Sequence, residues 1–422
     1  MADPVRLRAE RLATASSCCG FLGEVTLTDS AVIILFAGML GAGDALSMIT
    51  TSVLPLLNGL CIIPMAGLAM KIGMRRQILR ACFCASAAYF TAVASPIFGE
   101  AGVMVLIASV FLFAFSLTGF IAGWFPLLDT FLEPERRTLF FSRMRFCHQL
   151  SGTVFLFLVG FVIGGNPPVW GLQLVLLAAA VIFTGRAAAI SRIPVFEGRQ
   201  NESAGFFSGL NTVVGNKPMA GFSLYFFLLN LTAFGTVPLM MLYLKNGLNA
   251  PDNVIVLISA CSLSGMLFGY LCIGRLLKRI GMKHTFLLLH FIFFAVNGGL
   301  FLIGGRSMAT YLLIAFFLLV YSFAAAASSI VASAEMMKLA SPGNKIMAMA
   351  FNGAFFYGGS GLSRFLTSLL LGSGMFAAEW QLGATTVCRY RTFLLLYCAA
   401  ILLAAPFLLL VPAVNSGKSN KP

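Results

Sequence analysis

Ala66-Gly67-Leu68-Ala69-Met70-Lys71-Ile72-Gly73-Met74-Arg75 returns in altered form as Gly274-Arg275-Leu276-Leu277-Lys278-Arg279-Ile280-Gly281-Met282-Lys283. The two glycines, Gly73 and Gly281, lie 208 residues apart. The same shift takes Pro134 to Pro342 and Arg137 to Lys345. One shift that joins two separate pairs of short basic loops marks a duplicated unit.

What is duplicated is a set of apolar blocks. Hydrophobic residues make up 59% of the 422 and charged residues 10%. A soluble domain carries roughly a quarter charged residues, so this chain is too apolar to face water. In lipid, backbone polar groups must be satisfied within helices or closed barrels. A barrel alternates apolar and polar residues over about 10-residue strands. Here the apolar blocks are continuous and about 20 residues long, the length of a membrane-crossing helix. The pattern predicts twelve spans at 20–40, 47–70, 77–97, 103–130, 146–165, 169–190, 218–244, 253–275, 284–304, 309–334, 347–372 and 391–413. The expected fold is an all-α polytopic membrane protein. Its two pseudo-symmetric six-helix bundles are expected at 1–190 and 218–422, joined by a polar cytoplasmic linker at 191–217.

Charge gives an independent check on that map. With the N-terminus inside, 23 of the 28 basic residues fall in inner segments: Arg6–Arg11, Lys71–Arg80, Arg136–Arg145, Arg186–Lys217, Arg275–Lys283, Lys338 with Lys345, and Lys418 with Lys421. Outer loops hold Lys245, Arg306, Arg389 and Arg391. This bias places both termini in the cytoplasm of a cell (inner) membrane protein. It also explains the net charge of +14 without nucleic acid as a partner, because the basic residues are spread over many short loops. The polar, basic start lacks the apolar region of a cleavable signal, and Ala15-Ser16-Ser17-Cys18 lacks the one a lipoprotein site needs. Asn201-Glu202-Ser203 is an acceptor pattern for glycosylation, but it falls on the cytoplasmic side of the map. The ten cysteines show no metal-ligand spacing and read as small core residues. No metal and no cofactor are expected.

At the two glycine loops the chain resembles the major facilitator superfamily, and the resemblance extends over nearly the whole length. The family's loop between spans two and three reads G-x-L-a-D-r-x-G-r-r. The glycine and basic positions match, while Met70 and Lys278 stand where the family has its aspartate. The family's acid helps latch the two halves on the inner side, so its replacement removes that latch from expectation. The resemblance implies two bundles rocking about a central site. Independently of the family, Gly73 and Gly281 permit a tight turn. Arg75, Arg76 and Lys283 beside them would hold the loops at an anionic inner surface, with a gating role as the alternative to simple anchoring. Gly160 and Gly164 in span five read as a helix-packing pair. Gly165 stands where drug/proton antiporters of the superfamily have proline, which argues against that subgroup.

Charge inside a span is costly and so points to a site. Asp29 falls near mid-membrane in the first span and Glu24 about two turns nearer the cytoplasm. The two are about 140° apart around the helix and could border one cavity without touching. Both are candidates for proton coupling, since burial favours the neutral carboxyl. Otherwise Glu24 sits at the inner interface and Asp29 bonds to hydroxyls such as that of Thr26. Arg364, in the eleventh span, has three readings: snorkelling to outer headgroups, recognising a carboxylate or phosphate, or pairing with Asp29. Asn230, Asn352, Trp124, Phe356 and Tyr357 are candidates to line the cavity, each also explicable as packing. His148 and Gln149 read as an interfacial pair and His290 as structural. The Ala324–Ser329 run reads as a close-contact surface for gating.

The expected function is secondary active transport of a small organic solute by alternating access, driven by protons, by a monomer in the lipid bilayer. No G-x-x-x-x-G-K loop is present to bring ATP drive. A passive facilitator or a transporter-like solute sensor is the alternative. An enzyme is disfavoured because three isolated histidines supply no catalytic cluster. The topology is testable with single-cysteine variants on intact cells. An impermeant thiol reagent should label Cys388 and spare Cys18 and Cys19; labelling of either of the latter two overturns the map.

Overall fold

A computed structural model of the chain describes residues 3–133, 136–194, 196, 206–340, 345–383 and 385–410. Pro134, Arg199, Asn201, Pro342, Lys418 and Lys421, used above, lie outside the described residues.

The first helix, α1 (Pro4–Thr28), begins well before the expected start at residue 20. Asp3 caps it by accepting from the Val5 amide, and Pro4 sits where a helix tolerates proline. The polar start is therefore a helical extension. It is tied down by a two-bond pairing of Arg136 with Glu10 at 2.9 and 2.8 Å. The Glu10 hydrogen bonds also hold the Arg136 guanidinium above its ordinary pKa.

The chain then breaks at Asp29-Ser30 and resumes as α2 (Ala31–Met39), bent by 43°. The expected single span at 20–40 is thus two helices. Next come α3 (Asp44–Ile72), α4 (Met74–Val93), a 3-10 segment at Ser95–Ala101, α5 (Gly102–Asp129), α6 (Arg137–Val162) and α7 (Val169–Ser191). The expected linker contains a ten-residue helix, α8 (Phe206–Gly215).

The second repeat opens with α9 (Lys217–Ala233), capped by Asn216. It too breaks, at Phe234-Gly235, before α10 (Thr236–Leu242) and a π turn at Tyr243–Gly247. The turn is milder than its counterpart, and Lys217–Gly247 remains one membrane-length run, as expected for the span at 218–244. Then follow α11 (Asp252–Leu302), α12 (Met308–Leu339), α13 (Lys345–Gly372), a hairpin of β1 (Glu379–Leu382) with β2 (Thr385–Cys388), and α14 (Arg389–Ala404). A 3-10 segment at Ala405–Leu410 ends the described chain, where a helix to 413 had been expected.

Among the described residues, nine helical runs are long and apolar enough to cross a bilayer, and the bent pair α1–α2 makes a tenth. The helices α4 and α13, of 20 and 28 residues, are not among these ten. At about 1.5 Å per residue each is still about 30 Å long or more.

The repeated glycines behave alike. Gly73 has φ 89° and separates α3 from α4. Gly281 has φ 74° and is the one non-helical position inside α11, between the two spans expected there. Both adopt the backbone region that favours glycine. Gly164 also has a positive φ, 74°, and lies beyond the end of α6 with open space around it. It turns the chain and does not pack a helix, which corrects half of the expected glycine pair. Gly160 does pack, against Leu257 of α11.

Helix α3 runs along α13 and helix α6 along α11, joining the first repeat to the second. The α3–α13 seam is closed by small residues. A Cβ on Gly59 would lie 2.5 Å from the Gly358 Cα, and one on Gly361 would lie 2.4 Å from the Leu56 amide nitrogen. Backbones meeting this closely exclude side chains and gain dispersion contact in a solvent that offers no hydrophobic drive between helices. The Ala324–Ala327 part of the expected gating run is buried, with Ala326 packed beneath Gly269 of α11.

The seam makes a stability prediction. Gly361→Ala should lower stability by about 1–3 kcal/mol, because backbone cannot retreat as a side chain would. Gly38→Ala, in helix α2 with nothing within 4 Å, should be neutral or slightly stabilising. Thermal unfolding in detergent measures both; equal midpoints for the two variants would refute the close-contact account.

Candidate functional site

The break between α1 and α2 exposes Asp29. Its side chain is 52% exposed although the residue lies far from either end of the helix pair. Its Oδ1 pairs with Nη1 of Arg364 on α13 at 2.7 Å. The same Nη1 donates to the Thr51 carbonyl on α3 at 2.9 Å, and Arg364 Nε donates to the Phe234 carbonyl at 3.2 Å. Of the three readings for Arg364, pairing with Asp29 is the one its geometry has. The guanidinium touches α3 and the α1–α2 break on one side of the seam, and the α9–α10 break on its own side. A planar fork with several fixed donors suits this task where a lysine would not.

Glu24, one and a half turns earlier, has a different partner. Its Oε1 lies 2.5 Å from Nη2 of Arg186, whose side chain is only 4% exposed. Each acid thus has its own guanidinium, where the sequence suggested two carboxylates bordering one space. Arg186 was counted among inner-loop charges; it is instead buried inside α7. Its guanidinium carbon lies 4.1 Å from the centre of the Phe120 ring and 5.2 Å from that of Phe183. Gly20 makes room for it, since a Cβ there would fall 1.7 Å from Arg186 Nε. A buried ion flanked by rings and paired with a carboxylate is held firmly.

The other candidates separate. Phe356 and Tyr357 are partly exposed, and Phe356 packs against Phe226 and Phe234, with ring centres 5.7 Å apart in each case. Asn230 is fully buried and donates to the Phe356 carbonyl at 3.2 Å, so it fixes α9 against α13. Asn352 is buried at 6% exposure. Trp124 is buried at 7% and stacks on Phe120, behind Arg186. His290 bonds to Tyr225 at 2.8 Å in a buried pair, in keeping with a structural role. Gln149 differs from expectation. It is fully buried, and its amide donates to the Leu263 carbonyl across the α6–α11 seam at 3.0 Å. At the glycine loops, Arg75 donates to the Ser191 carbonyl at 2.7 Å, while Arg76 is exposed and Lys283 half-buried.

A second inter-repeat cluster, unmarked by sequence reading, lies at the hairpin end. Asp44 opens α3 and accepts from Asn246 at 2.6 Å, from the Tyr390 hydroxyl at 2.5 Å and from Arg389. Asp252 opens α11, pairs with Lys245 at 2.5 Å, and donates its amide to the Gly165 carbonyl at 2.8 Å. These two aspartates are 208 residues apart, so the repeat shift was a usable signal for them. No such signal marked Arg186, whose partner lies on another helix.

The sequence profile described as Major Facilitator Superfamily matches residues 15–363. No curated protein sequence matches. Among solved structures the chain is similar to a mutant of the nucleoside transporter NupG, at 15% identity over 97% of this chain and 100% of that one, with a TM-score of 0.70. It is similar to the D-xylose-proton symporter at 11% identity over 99% of each chain, with a TM-score of 0.72. It is also similar to a bacterial homologue of the iron transporter ferroportin in its inward-facing state, at 13% identity over 96% and 97%, with a TM-score of 0.63. At such identities the likeness is one of fold.

The Glu24–Arg186 geometry has a consequence for stability. Glu24→Gln leaves a buried guanidinium without its counter-charge and should cost about 3–5 kcal/mol. Glu24→Gln combined with Arg186→Met removes both charges and should recover most of that loss. Denaturant or thermal unfolding of the three proteins reads the difference, and a double variant no more stable than the single one would contradict it.

Proposed function

This chain belongs to the major facilitator superfamily, and on that premise we propose that it is a proton-coupled secondary transporter of a small organic solute working by alternating access. The superfamily is a class of transporters and not of enzymes. In this reading twelve spans form two six-helix bundles, 1–190 and 218–422, with the glycine loops and both termini in the cytoplasm and the hairpin outside. The basic residues at the glycine loops support that orientation. The shared conformations of Gly73 and Gly281 support the repeat.

One observation carries the mechanism: the Asp29–Arg364 pair joins the two repeats at a break in each. Asp29 is half-exposed, so water can deliver or remove its proton. Protonation removes the negative partner of Arg364 and weakens the bridge between repeats. A bundle freed in this way can reorient, carrying proton and solute together or in exchange. Asp44 with Arg389, Tyr390 and Asn246 would then act as a latch on the outer side, to be opened in the outward-facing state. Arg75 and Arg76 with Lys283 anchor the inner loops, in the absence of the family's aspartate at Met70 and Lys278.

A passive facilitator is the second reading, favoured by the fact that Arg364 already neutralises Asp29. Proteoliposomes with an imposed pH gradient separate the two. Asp29→Asn imitates the protonated acid permanently, so it should lose gradient-driven accumulation while keeping part of the downhill or exchange flux. Arg364→Lys keeps the charge without the fork and should accumulate less than the parent. Unchanged accumulation and pH profile in Asp29→Asn would make Asp29 structural and move the coupling group elsewhere, while a parent that equilibrates solute but never accumulates it would be a facilitator. The similar structures are named for a nucleoside, a sugar and iron, so the solute must be sought in the chemistry of the site and not in the fold.

A further inference from the structure

Arg364 is held by two backbone carbonyls, and in each case a proline four residues on makes the carbonyl available. Pro55 lies inside α3 and has no N–H to offer the Thr51 carbonyl, which accepts from Arg364 Nη1 at 2.9 Å. Pro238 in α10 likewise leaves the Phe234 carbonyl to Arg364 Nε at 3.2 Å. Thr51 belongs to the first repeat, and Phe234, like Arg364, to the second. Should the repeats part, the Phe234 bond keeps the guanidinium in its own repeat while Thr51 and Asp29 leave with the other. An arginine does not give up its proton inside a protein, so this positive charge is permanent.

Its counter-charge is Asp29, 2.7 Å from Nη1 and half-exposed. The acids nearest in kind are taken elsewhere: Glu24 by Arg186, Asp44 by Arg389 and Asp252 by Lys245. A small cavity beside Asp29, with room for about one water, is walled by Ser30, Thr51 and Ser259 and by apolar side chains of α2 and α10, with no second titratable group. Tyr321 of α12 and Tyr397 of α14 face the second break, where they bond to the Ala233 carbonyl and to Thr367, and phenols are neutral at physiological pH.

The charges at the bridge therefore cancel in pairs. Protonating Asp29 alone leaves one positive charge inside the spans, which is costly. An anion on Arg364 without that proton leaves one negative charge. Proton and monoanion together restore the balance of the empty, bridged form. A cationic solute would face a guanidinium that cannot withdraw. A phosphate monoester, with close to two negative charges at neutral pH, would overshoot by one. The planar fork that now holds a carboxylate suits another carboxylate.

We propose that Arg364 is the solute-binding residue and that the solute is a small organic monocarboxylate, which replaces the Asp29 carboxylate on the guanidinium as Asp29 takes up a proton. Proton and anion then cross together, one to one, with no net charge moved. Crossing rests on the secondary-transporter reading above; the proton-linked anion site does not.

The full chain in phosphatidylcholine nanodiscs, which lack anionic lipid, would be titrated with acetate, lactate, benzoate and nicotinate, each set against its neutral amide. Calorimetry and thermal shift would read binding between about pH 6 and 8, where these acids stay ionised. At least one acid should bind the parent while its amide does not, with affinity falling up to about tenfold for each unit of rising pH. Asp29→Asn, neutral throughout, should bind the same acid with little dependence on pH. Arg364→Gln should weaken it about tenfold to a hundredfold, the usual worth of a charge-assisted bond. Arg364→Lys should fall between parent and Gln, and carries the test if the Gln variant does not fold. In phosphatidylcholine vesicles, uptake of that acid should follow an inward proton gradient and ignore an imposed potential. One net charge per cycle would instead change the accumulation ratio about fiftyfold per 100 mV.

The proposal is overturned if no acid of the panel binds the parent, or if the amides bind as well. It is also overturned if affinity does not fall with rising pH or falls alike in Asp29→Asn, if both Arg364 variants bind as the parent does, or if uptake follows the membrane potential. An acid that binds with the expected pH and variant signatures but never accumulates in vesicles defeats the transporter reading and leaves the site standing. Proton-driven accumulation of a neutral or cationic solute does the reverse.

Discussion

A helix broken inside a membrane frees backbone groups that lipid cannot satisfy, and among the described residues there is a sharp break at Asp29-Ser30 and a milder one at Phe234-Gly235. In lipid each unsatisfied group costs several kcal/mol, so non-helical backbone survives only where protein or trapped water supplies partners. Here the partners are supplied by other helices. The Ala31 amide after the first break donates to Ser259 Oγ on α11 at 3.3 Å, and the Val32 amide to Ser30 Oγ at 3.2 Å. At the second break the Phe234 carbonyl accepts from Arg364 on α13, and the Ala233 carbonyl from Tyr321 on α12 and from Thr236. Each break is therefore keyed into its neighbours. Moving those neighbours must renegotiate its hydrogen bonds, which couples backbone conformation to bundle position.

The two ion pairs on the first span divide the work by exposure. Glu24–Arg186 lies within the first repeat, with its guanidinium almost fully buried between rings. Separating it would strand a charge in low dielectric, so it holds α1 to α7 as a fixed unit. Asp29–Arg364 lies between repeats, with a half-exposed carboxylate. Solvent screening makes that attraction weak and easily broken. In the alternating-access reading proposed above, a strong pair inside one body would keep the moving part rigid, and a weak pair between bodies could be made and lost on each cycle.

Sequence reading reached the membrane class, the repeat shift and most helix positions, because apolar length and basic loops are local signals. It reached the Gly73 and Gly281 turns for the same reason. It missed the breaks at Asp29-Ser30 and Phe234-Gly235. Local signs were present, in polar Thr28-Asp29-Ser30 and in Pro238, which leaves the Phe234 carbonyl without its helical donor, but the partners that permit the breaks lie 88 to 228 residues away. It misplaced Arg186 for a related reason: a lone arginine near the end of an apolar block looks like an inner anchor until Gly20 and Glu24 are brought to it. It credited Asn230 and Trp124 with a cavity because polarity and ring size are visible in sequence, whereas the helix face they occupy is set by packing.

The repeat shift also shows how two copies of one design have diverged at the centre. Tyr89 and Asn297 are 208 residues apart, and each bonds a threonine beside the break of its own repeat: Thr26 at 2.5 Å and Thr236 at 2.9 Å. Thr51 and Ser259 are also 208 apart, and each receives the other repeat. Thr51 offers its carbonyl to Arg364, and Ser259 its hydroxyl to the α2 amide. Within each repeat the break is pinned to the third span, and across the seam it is pinned to the second. The intra-repeat bonds join neutral hydroxyl and amide groups, which no proton in the physiological range disturbs. Beside the breaks, charge crosses the seam through Asp29 and Arg364, and a further charged contact, Asp44 with Arg389, lies at the hairpin end. In the proton-coupled reading proposed above, the bridge at the breaks is the one from whose asymmetry coupling would arise.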